Sequence, residues 1–196
     1  MPYAKILDGG TNFDWRLQDI DQIVKTVEAM RALGQKIVLT SGTYDIIHIG
    51  HANYLEKARS FGDFLVVGVD SDEKVRERKG PNRPIVSQDE RLHMLAHLRH
   101  VDALVLKGKD DSPHHLMKAI RPDVLVISQT TRHKPENIED MQKYCEEIQV
   151  LEPQAETSTT ARIRKLLLNG VGDFAKEAKL KIDVAIDELV QSIQGR

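Results

Sequence analysis

The stretch KIVLTSGTYDIIHIGH, residues 36–51, carries the clearest signal of the fold. It opens on a short run of aliphatic residues of strand length. It then turns at Gly42, passes through Thr43-Tyr44-Asp45, and closes on His48-Ile49-Gly50-His51, just ahead of a helical pattern over 51–60. A strand, a glycine turn and a helix start in that order open an α/β unit. In open sheets of this class, ligands bind beyond the carboxyl ends of the strands, where the strand order reverses.

Outward from this stretch the same rhythm repeats. KIVLTS (36–41), DFLVVGVD (63–70), DALVLK (102–107), PDVLVIS (122–128) and EIQVLE (147–152) are all rich in Val, Ile and Leu, as strands buried on both faces should be. Helical patterns lie between them. Residues 19–33 form an amphipathic stretch that stops at Gly34. SQDERLHMLAHL (87–98) has Ser87 and Glu90 at capping-box spacing. SPHHLMKAI (112–120) offers Ser112 as a cap and Pro113 as first helical residue, and KPENIEDMQKYCEE (134–147) uses Pro in the same way. STTARIRKLLLNG (158–170) closes on Asn169-Gly170. The expected fold is α/β, a doubly wound five-stranded parallel sheet with right-handed crossovers, an N-terminal helix and an extra C-terminal helix. Residues 1–18 form an N-terminal segment and 19–170 the main domain. In 171–196, Leu180, Val184, Leu189, Val190 and Ile193 mark a further amphipathic helix outside the core, a possible dimerisation element.

Composition narrows the function. The 196 residues are 40% apolar and 30% charged with a formal charge of −2, an ordinary globular balance. No basic block is long enough to track a phosphate backbone, so nucleic acid is not expected as a partner. Cys145 is the one cysteine, which excludes an intrachain disulfide and fits a reducing compartment. No apolar run is of membrane-spanning length, and the first sixteen residues lack the pattern of a signal peptide. The expected location is the cytoplasm, with no membrane partner.

At the first turn, Gly42 lets backbone approach a ligand closely, and the helix start offers N–H groups to a phosphate. His48 and His51 stand three apart. With a helix beginning near Ile49, both imidazoles point back at the phosphate position and offer ring N–H donors to oxygens that gain charge. Gly50 leaves room for a flat nucleoside. The other readings of such a pair are a metal site, a surface position or a satisfied core position. Neither G-x-G-x-x-G nor G-x-x-x-x-G-K-[ST] is present, so dinucleotide and P-loop readings have no support. Asp70 and Asp72 follow the second strand and either face the site or, for Asp72, cap the next helix. His93 and His97 read as a half-exposed helix face, His114 and His115 as first-turn residues.

The letters H-I-G-H also occur in class I aminoacyl-tRNA synthetases, but this chain has no room for their further domains and no K-M-S-K-S signature. GTYDIIHIGH (42–51), GVDSD (68–72), KGPNRPI (79–85), RPDVLV (121–126) and STT (158–160) together resemble the cytidylyltransferase-like nucleotidyltransferases. Within that family the chain is most similar to the heptose-phosphate adenylyltransferase domain of ADP-heptose synthases. The resemblance covers about residues 19–170. It implies a reaction in which a phosphate monoester attacks the α-phosphorus of a nucleoside triphosphate and releases pyrophosphate. The catalytic residues would be His48, His51 and Lys79. The nucleotide would lie against Gly42, Thr43, Tyr44, Gly50, Arg83, Arg99 and the Ser158-Thr159-Thr160 triplet. Mg²⁺ would be held mainly by the substrate phosphates, and a homodimer is implied.

Two stretches depart from the family pattern: ISQTTRHKP (127–135) stands where relatives carry K-G-G-D, and QAET (154–157) where they carry an acidic glycine turn. RHVD (99–102) resembles the R-Y-V-D of glycerol-phosphate cytidylyltransferases, so Arg99 leans towards CTP and the overall likeness towards ATP. Glycerol-phosphate or phosphoethanolamine cytidylyltransferase, FMN adenylyltransferase and a nucleotide-binding regulator without turnover are the alternatives.

Overall fold

A computed structural model describes residues 12–112, 114–131, 135–154 and 179. The expectations for Pro113, for the Ser158–Thr160 triplet with its helix and for the C-terminal helix fall outside the described residues. The described elements are α1 (Asn12–Arg16), α2 (Ile20–Ala32), β1 (Ile37–Gly42), α3 (Ile49–Arg59), β2 (Phe64–Asp70), α4 (Asp72–Lys79) and α5 (Gln88–Ala96). They continue as β3 (Ala103–Lys107), α6 (His115–Ile120), β4 (Val124–Ser128), α7 (Pro135–Gln142) and β5 (Glu147–Leu151). The strands form one sheet in the order β3-β2-β1-β4-β5 with every neighbouring pair parallel. Each strand read from the sequence is present, shifted by no more than a residue or two.

Successive side chains of a strand point to opposite faces, and the core divides accordingly. Val38, Leu65, Val67, Val69, Val124 and Val126 pack on one face with Leu55 of α3 and Leu92, Leu95 and Ala96 of α5. Ile37, Leu39, Val66, Val105 and Leu125 pack on the other with Ile23 and Val27 of α2, Leu116 and Ile120 of α6, and Met141 of α7. Burial on both faces is why the strands read as continuous aliphatic runs rather than as alternating ones.

The helix ends follow local chemistry. Asp19 caps α2, its carboxylate accepting from the Gln22 amide at 2.8 Å while Gln22 Oε1 accepts from the Asp19 amide at 3.2 Å. Gly34, at φ 75°, ends that helix as expected. Two caps differ from expectation. Ser112 does not cap α6: His114 holds that position without a side-chain bond, and Ser112 contributes only its carbonyl, to the His115 amide at 3.0 Å. Asp72 does not cap α4 either, because Ser71 does, leaving Asp72 free for an ion pair described below. The β3 edge is met by the chain before α2, where Leu17 bridges Leu104 and the Gln18 amide donates to the Leu104 carbonyl at 2.9 Å.

The order 3-2-1-4-5 places its reversal between β1 and β4, so the residues after the carboxyl end of β1 stand where ligands bind in such sheets. No helix among the described residues is long and apolar enough to cross a membrane.

Candidate active site at the carboxyl ends of the strands

His48 and His51 begin α3 as a reciprocal cap. His48 is the N-cap residue, and its Nδ1 accepts from the Gly50 amide at 3.1 Å. His51 is three residues on, and its Nδ1 receives the His48 amide at 3.4 Å. The rings lie 4.0 Å apart, tilted by 31°. With Nδ1 accepting in both, the neutral rings carry their protons on Nε2. The cap therefore sets the tautomer and turns each imidazole into a fixed Nε2–H donor. This is the capping box usually built from Ser and Glu, made here from two histidines.

His51 is not a resting cation. Burial first, then the nearby His48 and Lys79, lower its pKa from 6.5 to about 4, with Asp45 opposing. The ring is neutral at pH 7, so it donates as a neutral imidazole in the free protein. An NMR titration of the ligand-free chain should give His51 a midpoint near 4; a midpoint near 6.5 would contradict this geometry. The unfolded chain binds this proton first, so the stabilising contribution is complete above pH 6.5 and is lost as pH falls towards 4.

Between β1 and α3 the backbone is strained: Tyr44 has φ 54° and Ile46 φ 48°, positive values that bulky or β-branched residues rarely adopt. Two side chains hold it there. Asp45 accepts from the Ile85 amide at 3.0 Å, the Val86 amide at 3.0 Å and Arg83 Nη1 at 3.0 Å. Burial alone would raise its pKa, but the Val86 and Ile85 amides and Arg83 outweigh it, so Asp45 stays ionised. Arg91 is the other. Fully buried in α5, its guanidinium donates to the Thr43 carbonyl, to the Asp70 carbonyl at 2.8 Å, to Asp72 Oδ1 at 2.7 Å and to the Val86 carbonyl at 3.1 Å. One side chain thus ties the first turn to the end of β2, the start of α4 and the loop over 81–86.

The structure brings most of the expected residues together. Lys79, at the end of α4, is close enough to His51 to depress its pKa, and it makes no hydrogen bond or ion pair with a described residue. Its own pKa is lowered, by desolvation first and then by Arg78. Arg83 is spoken for by Asp45, so its first role is to hold the 81–86 loop against the turn. The buried Tyr44 ring meets His51 edge-on at 5.6 Å.

Gly42 has a packing role in the turn. A Cβ there would meet the Tyr44 ring at 3.0 Å, so the glycine makes room for that side chain. Arg99 is not in the cluster. It is exposed and precedes β3, at the edge of the sheet opposite the histidines, because in a parallel sheet the residues before a strand lie at its amino end. The fixed member of RHVD here is Asp102, which accepts from Arg59 Nε at 2.7 Å and the Leu65 amide at 2.8 Å. His93 stacks on Phe13 at 3.6 Å. Among the described residues no group of three or more His, Cys, Asp or Glu could hold a metal ion.

Sequence reading missed Arg91, Asp45 and Arg78. Arg91 had a signal: it precedes Leu95 by four residues, so an arginine sat on the apolar stripe of its own helix.

Comparisons with known proteins agree with the motifs. The chain is 36% identical over 155 residues to the bifunctional protein HldE of Aliarcobacter butzleri, covering 79% of this chain and 32% of that one. It is 40% identical over 153 residues to the HldE of Ectopseudomonas mendocina, covering 75% and 31%. The chain thus spans about a third of the length of these curated relatives. In fold it is similar to the lipopolysaccharide core biosynthesis protein of Thermoplasma volcanium GSS1, with TM-score 0.53 and 24% identity over 64% of this chain and 100% of that one. It is also similar to the pantoate-beta-alanine ligase of Francisella tularensis solved with beta-gamma ATP and beta-alanine, with TM-score 0.50 and 18% identity over 73% and 68%. The family model for cytidylyltransferase-like proteins matches residues 39–183, and the chain belongs to that family.

Proposed function

We propose that this chain is a nucleotidyltransferase that moves a nucleoside monophosphate from a nucleoside triphosphate to a small phosphate monoester, with AMP the group transferred and a sugar phosphate the acceptor. One observation carries the reading. Two histidines cap α3 through Nδ1 and so present Nε2–H donors at the carboxyl end of the strand where ligands bind. The acceptor phosphate is already an anion. Its oxygen attacks the α-phosphorus in line, the bond to the bridging oxygen breaks, and pyrophosphate leaves with that electron pair. No protein base or nucleophile is needed, so catalysis is positioning and charge stabilisation.

His48 and His51 donate to the oxygens that gain charge, and Lys79, without an ion-pair partner among the described residues, supplies a cation beside them. Mg²⁺, held by the substrate phosphates, would supply further charge neutralisation. Asp45 and Asp70 are both committed to cations of the protein, so the substrate phosphates are the ligands that suit the ion. The preference for AMP rests on the similarity to HldE proteins. With Arg99 at the opposite edge, the residue that leaned towards CTP no longer argues for it.

The test is pyrophosphate release with ATP, CTP, GTP and UTP, each paired with a panel of sugar phosphates, glycerol phosphate, phosphoethanolamine and FMN. ATP with a sugar phosphate should give turnover. Nucleotide binding without release from any pair would turn the reading to a regulatory protein.

A further inference from the structure

At the end of β2 a buried carboxylate serves two cations. Asp70 Oδ2 accepts from Arg78 Nη2 at 2.8 Å, and Asp70 Oδ1 from Lys107 Nζ at 3.3 Å. The two partners differ in kind. Lys107 is a fixture: its side chain is 14% exposed, and its stem crosses Gly68, where a Cβ would come within 2.8 Å of Lys107 Cδ. Arg78 is 53% exposed, on the last turn of α4 next to Lys79. Its Nη2 is shared with the Thr43 hydroxyl at 2.8 Å, and its Nε and Nη1 have no partner among the described residues. Thr43 lies in the turn that leads to the histidines. A half-exposed arginine therefore rests at the site, held by one nitrogen.

We propose that Asp70 is an internal competitor for the phosphate ligand: it holds Arg78 against Thr43 in the free protein, and an incoming phosphate takes the guanidinium over while Lys107 keeps the buried carboxylate neutralised. The inference rests on the site being one that takes a nucleoside triphosphate or a phosphate monoester. Removing the sole partner of a buried carboxylate is costly because it leaves an uncompensated charge. Asp70 escapes that cost because it has a second, buried cation. One carboxylate between two cations also leaves one positive charge over, and a phosphate supplies the missing negative charge. The planar guanidinium suits the exchange, since its unused edge can engage two phosphate oxygens before the old bond is given up. The ion pair thus sets a threshold: weak anions leave Arg78 on Asp70, and a polyphosphate with several contacts draws it away.

The test is calorimetric binding of inorganic tripolyphosphate, with melting temperature measured on the same samples, for the wild type, Arg78→Ala, Asp70→Asn and the double variant. Arg78→Ala should weaken binding about tenfold or more, the worth of a charge-assisted contact. Asp70→Asn should tighten binding severalfold, and that gain should vanish when Arg78 is also Ala. A general electrostatic effect of losing one negative charge would persist in the double variant and would overturn the proposal. So would an unchanged dissociation constant in Arg78→Ala with a lowered melting temperature, which makes Arg78 only a structural partner of Asp70. Should Asp70→Asn fail to fold, the side-chain NMR signal of Arg78, assigned by its loss in Arg78→Ala, must shift when tripolyphosphate is added to the wild type; no shift overturns the exchange. Absence of any tripolyphosphate binding by the wild type would refute the phosphate-site reading itself.

Discussion

His51→Gln should lower the single-turnover rate of nucleotidyl transfer roughly a hundredfold or more, the usual cost of removing one preorganised donor. The melting temperature should hardly move. Glutamine suits the third helical position of a capping box, so its side-chain oxygen can still accept the His48 amide that His51 Nδ1 accepts now. His48→Asn follows the same logic, because asparagine is a strong N-cap and can accept the Gly50 amide. Alanine confuses two effects: it removes the donor and also the cap, and lost caps cost about 1 kcal/mol. The donors act chiefly where charge develops, so the Michaelis constant for nucleotide should change less than the rate. The double variant should lose less than the product of the two single losses, since both rings act on one phosphate chain. A purely structural role predicts the opposite: full rate per folded molecule in both conservative variants. Melting curves and quenched-flow rates on the same samples separate the two.

The largest stability effect is expected at Arg91. Arg91→Met removes a buried cation and leaves Asp72 without its partner and the Thr43 and Asp70 carbonyls without that donor. Removing one member of a buried ion pair costs about 3–5 kcal/mol, which corresponds to a fall in melting temperature of roughly 6–20 °C for a domain of this size. Lysine should not rescue it, because a single ammonium cannot reach four acceptors spread over three segments. Activity should fall further than the folded fraction does, since the first turn loses the strut that holds Thr43 and the strained Tyr44–Ile46 backbone. A melting temperature within a degree or two of the wild type would mean that Asp45 holds the turn by itself.

Much of this architecture was legible because its causes are local. Runs such as FLVVGVD are buried on both faces and carry no polar interruption, so strand identity and spacing could be read directly. The placing of the two histidines at a helix start was legible for the same reason, since His48 and His51 need only the first turn of one helix to meet; their reciprocal cap was not read. What escaped reading depends on partners far along the chain. Asp45 finds its donors forty residues away, and Arg91 reaches back forty-eight to Thr43. A helix pattern that assigns every arginine to the polar face hides such a residue. Ser112 failed as a cap because a hydroxyl in a suitable place does not ensure that the chain turns there. Arg99 is a different case: its motif resembles a ligand-binding one, and the polarity of a parallel sheet puts it at the amino end of β3.

In the proposed reaction the α-phosphorus of a nucleoside triphosphate passes directly to an acceptor phosphate at the paired histidines. ³¹P NMR of the chain with Mg²⁺, ATP and the sugar phosphate found active in the pyrophosphate screen tests it most directly. Coupled resonances of a new nucleoside-diphosphate conjugate should grow in step with pyrophosphate in the wild type and only barely in His51→Gln. ATP consumed to AMP or ADP with the acceptor phosphate unchanged, or conjugate formed at the wild-type rate by His51→Gln, would contradict it.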